Sequence, residues 1–475
     1  MGNIKKMVTI QPSVLIHRYM RMKKHSILSL LLTMLLLIGQ PLLSACSGGS
    51  RLNPSDPVTL TFWHVYGEQV DSPMNLLVQQ FNETIGMKKG IVINVTRMSN
   101  ASEIGEQLLA AQKGKPGAGT MPDLFLCYPG TASLLGPENL VDWSEFFSQD
   151  ELDSYVDAFV DEGILQNRLC VFPVCKSTRL LYVNGTEFER FQEDTGITYS
   201  SLRTWDGFFR TAAKYREWSK GKPFCAFDYL VQNVDLSARE MGGTQIIKNG
   251  CYNCSDPVLR SSWKQFADAL IRGDIIVSDL YANTQMMTGE VPAGTGSSAA
   301  ILYFNDIVTY SDNTTEPMNL KVLPLPVSDR PEAASAPLAP QTGCGICALK
   351  TDSLKAEAAS VFVHWLTESE RNLDFAAKTG YFPVTEEAFQ AIDSYRFQSP
   401  SYRSVYNAIR VVKNTCHFTP LPSDSGFIEK TNHLYDTLRS MQTSLNKRYL
   451  DGEDPDTLEL ETWEQFCSCL GSPEN

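Results

Sequence analysis

The chain has 475 residues, 41 Lys plus Arg against 54 Asp plus Glu, 43% hydrophobic residues and a formal charge of −13. That length supports two or three domains with substantial cores, and it excludes a disordered tail or a small disulfide-held module. Residues 1–45 carry six of the basic side chains and no acidic one, so the body keeps 35 basic against 54 acidic residues and has no dense Lys/Arg block; nucleic acid is therefore excluded as a partner.

Within residues 1–45, Arg21-Met22-Lys23-Lys24 precedes an apolar run from Ile27 to Ile38, and Leu43-Ser44-Ala45-Cys46 follows. A basic start, a short apolar run and small residues mark a secretory signal. The run is shorter than the roughly 20 apolar residues of a permanent span. The tetrad resembles the bacterial lipobox. That resemblance implies lipid attachment at Cys46, a tether over residues 46–55 and a body on the extracytoplasmic face of the cell membrane. Residues before about Arg18 exceed what a signal needs, so Met20 and Met22 are alternative starts.

The body opens with a strand at Val58–Trp63 and a turn at His64–Gly67. Leu77, Val78 and Phe81 give Met74–Asn82 a helical spacing, Gly90–Val95 reads as a strand, Ser102–Gln112 as a helix, and Pro122–Cys127 as a buried strand. Alternation of strand and helix predicts a mostly parallel α/β sheet. Ligands of such sheets collect beyond the carboxyl ends of the strands, which points to Trp63–Gly67 and Tyr128–Thr131. A second α/β region follows, with a strand at Leu180–Asn184 and helices at Trp205–Trp218 and Val258–Ile271. Gly289–Ser298 reads as a small-residue turn before a strand at Ala300–Phe304. Val322–Pro340 is Pro/Ala-rich and reads as surface. From Leu354 onward the pattern is mainly helical, notably Ala356–Leu366, Glu370–Lys378 and Ile428–Arg448.

Chemistry-bearing motifs are sparse. The body keeps four histidines, His64, His364, His417 and His433, and shows no H-E-x-x-H, G-x-S-x-G, Walker A or strand-bound G-x-G-x-x-G arrangement. The sequence predicts no enzyme, no cofactor and no metal. Eleven cysteines follow Cys46, with C-x-x-C spacing at Cys251/Cys254 and Cys344/Cys347. Zinc, a redox pair and chance all remain open for that spacing, although no histidine stands close enough to strengthen a zinc site. Cys170/Cys175 and Cys467/Cys469 read as local pairs.

Phe62-Trp63-His64, Phe81-Asn82, Pro122-Asp123-Leu124 and Asp142 in the first part are joined by Phe172-Pro173 through Ser177-Thr178 and Leu181-Tyr182-Val183-Asn184 in the second. Thr342-Gly343 and Lys378-Thr379-Gly380-Tyr381-Phe382-Pro383-Val384 come later. In this order, over roughly residues 56–460, the motifs resemble the extracellular solute-binding lipoproteins of ABC importers that take sugars and polyols. Trp63-His64 and the Lys378–Val384 stretch followed by Glu386-Glu387-Ala388 look most like the branch that binds glycerol-3-phosphate and glycerophosphodiesters. The resemblance implies a two-lobed periplasmic-binding-protein-like α/β fold with a cleft between the lobes and a mainly helical C-terminal part. It implies lobe 1 from 56–164 with 305–345, lobe 2 from 165–304 with 346–465, a tail at 466–475, and a monomer.

By the same resemblance, Tyr66, Ser177, Thr178, Ser297, Ser298, Gly343 and Tyr381 surround the ligand. Hydroxyls in strand-end turns suit that task, and Ser and Thr equally serve as turn or N-cap residues. Trp63, Tyr66, Tyr128, Trp205, Tyr303 and Tyr381 offer flat faces to a sugar ring, or ordinary packing. His64 is either a donor to ligand or a satisfied structural histidine. Leu421–Phe427 holds no arginine where the phosphate-binding branch has one. The expected function is capture of a sugar or polyol between the lobes and delivery to an importer permease. Alternatives are glycerol-3-phosphate or glycerophosphodiester import, and a lipid-anchored carbohydrate-binding surface protein without a transport role.

Overall fold

Alternation in Val58–His64 turns Leu60, Phe62 and His64 inward, and this strand, β1, is the hub of the first sheet. The computed structural model describes residues 51–66, 72–98, 101–248, 250–279, 281–329, 336–420 and 425–471. The expected signal and Cys46 lie outside them, as do Gly67 and Leu421–Asp424. Residues 53–475 form one unit; of the preceding unit, residues 1–52, only 51 and 52 are described. Among the described residues, no helix is long and apolar enough to cross a membrane.

Ten strands build two five-stranded sheets: β1, β2 (Ile91–Arg97), β3 (Leu124–Cys127), β4 (Phe172–Pro173), β5 (Arg179–Asn184), β6 (Cys225–Phe227), β7 (Ile275–Val277), β8 (Ala293–Ser297), β9 (Leu320–Pro324) and β10 (Gly345–Ala348). The first sheet runs β2-β1-β3-β10-β4 and the second β7-β6-β8-β5-β9. β2, β1 and β3 are parallel, as the strand–helix alternation predicts. β10 and β4 join antiparallel, so the sheet is mixed. In the second sheet β7, β6 and β8 are parallel, and β5 lies antiparallel to β8 and β9. With their flanking helices these sheets make the two-lobed α/β architecture that the sequence predicts.

Two readings change here. Ala293–Ser297 is a central strand rather than a turn, and Ser298–Tyr303 is a 3-10 helix rather than a strand. The strand is built from small residues because a helix presses on it. A side chain at Gly294 would meet the Cβ of Ala282 at 2.6 Å, in helix Ala282–Met287. Part of the Pro-rich stretch is also strand: Leu320–Pro324 forms the edge of the second sheet, and Leu338–Gln341 pairs with His417–Pro420. Proline is tolerated at such an edge because no neighbour asks for its missing N–H.

Strands from the later segments join both sheets. β9, from the 305–345 segment, pairs in the second sheet, and β10, whose residues 346–348 fall in the 346–465 segment, pairs in the first. Helix Ser353–Leu366 lies against β1, where the Phe62 and Phe362 rings meet at 5.8 Å. Helix Pro400–Thr415 returns to the second sheet through β9, whose Val322 N–H donates to Ser404. Helices Ser425–Leu450 and Pro455–Leu470 then pack on helix Pro257–Arg272, with Trp263 Nε1 donating to Thr462 at 3.2 Å. Cys254 is disulfide-bonded to Cys467. Neither Cys251/Cys254 nor Cys467/Cys469 therefore pairs locally.

Candidate functional site

β1 delivers its carboxyl end to one side of a cleft. His64 is fully buried and accepts the Tyr66 N–H on Nδ1 at 3.1 Å, which leaves Nε2 to donate to Asn75 Oδ1 at 2.9 Å. The histidine is thus a neutral brace between the strand end and helix Pro73–Phe81, which Ser72 caps. Tyr66 stands edge-on to Phe375 and to Tyr381, with centroids 5.2 and 5.5 Å away, and its hydroxyl meets the Cys175 thiol. Burial pushes the phenols of Tyr66 and Tyr381 well up, and the Cys175 thiol up to about 12. β3 ends in the same way at Tyr128. There the nearby Cys344 thiol, followed by burial, pushes the phenol up.

The second sheet answers with its own strand ends. Ser297 closes β8 opposite Arg179, the first residue of β5. Asp228 follows β6, and its Oδ1 accepts Ser278 Oγ at 2.8 Å and the Ala282 N–H at 2.6 Å. Burial outweighs these bonds and the nearby Arg179, and it pushes the Asp228 carboxyl up to about 6. Arg179 lies over the Tyr229 ring at 3.4 Å and donates to Gln232 Oε1 at 3.1 Å.

Between the two sets of strand ends lie two chambers. One, of about 540 Å³, is lined by Tyr66, Tyr229, Tyr281, Tyr303 and Tyr381 with Asp228, Asn283 and Ser297. The other, of about 590 Å³, is lined by Tyr128, Arg179, Asp279, Thr342, Tyr435 and Arg439, among others. Asp228, Tyr229 and Tyr281 line both, so they form one continuous cleft. Its position beyond the carboxyl ends of parallel strands is where open α/β sheets place their ligands.

The expected site residues separate into three groups. Tyr66, Tyr128, Ser297 and Tyr381 line the cleft. Ser177, Thr178 and Gly343 instead build the crossing between the sheets. Ser177 and Thr342 exchange both backbone hydrogen bonds at 2.9 Å, and Ser177 Oγ lies 2.9 Å from Ser297 Oγ. Thr178 Oγ1 donates to the Pro340 carbonyl. Gly343 has φ +100°, and a side chain there would come within 3.1 Å of the Cys175 carbonyl, so glycine suits the crossing for both reasons. The neighbouring Lys176 is buried and paired with Glu162.

Trp205, His64, Trp63 and Ser298 make up the third group. Trp205 is 2% exposed in the second sheet's core, stacked on Phe209 and edge-on to Phe208 and Phe266, and does not line the cleft chambers. Its place at the start of an amphipathic helix, Trp205–Trp218, faces it inward. Trp63 packs against the cluster of Ile104, Leu108 and Phe125, and Ser298 is fully buried behind the cleft wall. Sequence reasoning missed Asp228, Tyr229 and Tyr281. The strand before Asp228 is only three residues long, too short to announce its carboxyl end. Among the described residues, no group of three or more His, Cys, Asp or Glu side chains could hold a metal.

This geometry has counterparts. The cyclic α-maltosyl-1,6-maltose binding protein of Arthrobacter globiformis shares 14% identity over 87% of this chain and 99% of its own, with a TM-score of 0.63. UgpB of Mycobacterium tuberculosis, in complex with glycerophosphocholine, shares 15% over 87% and 98%, with a TM-score of 0.61. Maltose-bound MalE3 of T. maritima shares 15% over 87% and 100%, again with a TM-score of 0.61. These similarities establish the fold. No curated protein sequence matches the chain. Residues 77–399, however, match the family described as bacterial extracellular solute-binding protein, and that span holds both sheets except β1 together with most of the cleft. The chain belongs to the bacterial extracellular solute-binding proteins, and its role is binding rather than turnover.

Proposed function

We propose that the protein captures a neutral saccharide or polyol in the cleft and delivers it to the permease of an ABC importer. The observation that carries this reading is the five-tyrosine chamber. Flat amphipathic rings from both lobes face a space of about 540 Å³, and Ser297, Asn283 and Asp228 supply hydroxyl, amide and carboxylate partners. The lobes divide by sheet membership, closure about the Ser177–Thr342 crossing buries the solute, and the closed form docks on the permease as a monomer. Lipidation of Cys46 holds the body at the membrane.

Two ligand classes bound by structural neighbours, maltose-type sugars and glycerophosphocholine, frame the test. Soluble protein beginning at Ser47 is screened by thermal shift against saccharides, polyols, glycerol-3-phosphate and glycerophosphodiesters. A neutral saccharide at 100 times its dissociation constant adds about 2.7 kcal/mol of apparent stability. No response to any saccharide or polyol sinks the reading. A second reading, glycerophosphodiester capture, draws on Arg179 and Arg439 in the other chamber. It predicts a shift with the diester that Arg439→Gln removes. A carbohydrate-binding surface protein without a transport role would bind the same sugar, yet its deletion would leave uptake intact.

A further inference from the structure

The first sheet hides a pair of thiols. Cys127 ends β3 opposite Gly345, and Cys347 lies in β10 opposite Phe125. An offset of two residues keeps both side chains on one face of the sheet. Their Sγ atoms are 3.5 Å apart, in contact, and both residues are fully buried. The other buried thiols nearby hydrogen-bond elsewhere: Cys175 meets Tyr66, Cys344 meets Tyr128, and Cys170 points to the Pro137 carbonyl, although Cys344 and Cys170 also lie close enough to act electrostatically on this pair. Cys347 therefore stands across the sheet from a partner outside its own C-x-x-C.

We propose that Cys127 and Cys347 are joined by a disulfide in the exported protein. Extracellular proteins fold where thiols oxidise, and this chain already carries the Cys254–Cys467 bond. Both thiols are free in this structure, and forming the ~2.05 Å S–S bond requires these diagonally placed residues to draw together across the two strands. The two thiols give up two protons and two electrons by exchange with a protein or small-molecule disulfide, which leaves as two thiols. Burial pushes the Cys347 thiol well up, so the exchange belongs to folding, before β10 closes over β3.

The position of the bond gives it a task. A separation of 220 residues lies between the cysteines, and the whole of the second sheet falls inside that loop. The bond would staple the departing and returning strands together at the root of the second lobe, one residue from Tyr128 in the cleft wall.

The test uses the full exported chain purified without reductant. It is unfolded in denaturant near neutral pH with excess N-ethylmaleimide present, so that free thiols are capped before they can exchange, then digested without reduction and mapped by mass spectrometry. The expected main species is a cross-linked peptide pair holding Cys127 and Cys347, two hydrogens lighter than its halves and lost on reduction. Alkylation of both residues as the main species overturns the proposal, as does linkage of either to Cys344 or another cysteine. In Cys347→Ser protein, Cys127 becomes alkylated. The wild-type map needs no variant, so it decides the matter even where that substitution prevents folding.

Discussion

Tyr66 and Tyr381 on one side of the cleft and Tyr281 and Tyr303 on the other are the same side chain in opposite settings. The first two stand edge to face, half-buried, and the Tyr66 hydroxyl is engaged by Cys175. The second two are 61% and 58% exposed. A fixed ring costs no ordering when a ligand arrives, whereas an exposed ring has area left to bury. On the proposed capture reading, Tyr66 and Tyr381 are a preformed platform, and Tyr281 and Tyr303 supply the surface that closure would remove from water.

The sharpest way to break that comparison is to ask whether every aromatic residue picked from the sequence belongs to a wall. Trp205 does not. Trp205→Ala empties a core position among Phe208, Phe209 and Phe266 and is expected to cost about 3–5 kcal/mol of unfolding free energy. Denaturant titration measures that cost. The folded fraction should bind its solute with unchanged affinity, and a large loss of affinity in folded protein would return Trp205 to the cleft.

A smaller effect separates the two tyrosine settings. Tyr66→Ala removes a ring that packs on Phe375 and Tyr381, so unfolding free energy and affinity fall together, each by about 2 kcal/mol. Tyr281→Ala removes an exposed ring. Its melting temperature should hold while affinity drops by about 1 kcal/mol, near fivefold. Calorimetric titration beside thermal unfolding reads both. Equal stability losses in the two variants would end the distinction between a fixed and a closing wall.

Legibility in the sequence follows the same physics. Helix Trp205–Trp218 could be read to the residue because its amphipathic spacing begins at an N-cap, Thr204, whose side chain accepts from Gly207. The carboxyl ends of β1 and β3 were equally legible, since strand and helix alternate around them. β8 was not: Ala-Gly-Thr-Gly-Ser has the composition of a turn, and only its neighbours β6 and β5 and the helix pressing on it make it a strand. Motif likeness placed Ser177, Thr178 and Gly343 around the ligand, whereas in the structure they bond and pack at the crossing between the sheets. A pattern of letters does not distinguish a residue that braces a crossing from one that touches a ligand.

Asp228 sharpens the contrast through pH. Its carboxyl sits near 6 in the folded protein and near 3.8 unfolded, so between those values the folded state holds the proton more tightly. Stability from this group therefore falls as pH rises from about 4 to about 6, and it returns on acidification. Asp228→Asn keeps an oxygen for Ser278 and the Ala282 N–H while removing the charge. The variant is expected to be more stable than wild type above pH 6, by an amount on the order of 3 kcal/mol, with the gap closing towards pH 4. Urea unfolding across that range measures it. A gap that does not change with pH would mean that the charge is already solvated, and that the second wall is wetter than its geometry implies.

The smallest expected effect concerns a motif residue outside both walls. Lys378 opens the late Lys-Thr-Gly-Tyr-Phe-Pro-Val stretch, yet it ends on the surface paired with Asp374 at 2.7 Å, four residues back along one helix, with both side chains about half exposed. Such a pair loses in side-chain order and solvent screening most of what it gains by attraction, leaving about 0.3–0.5 kcal/mol. Three residues later in the same motif, Tyr381 lines the cleft, because the helix ends at Gly380 in a left-handed cap with φ 72° and the chain turns inward there. Lys378→Ala should therefore leave affinity unchanged and lower stability by less than 0.5 kcal/mol. Loss of solute affinity in that variant would make the whole stretch part of the ligand wall, and the division between a fixed platform and its supports would have to be drawn further out.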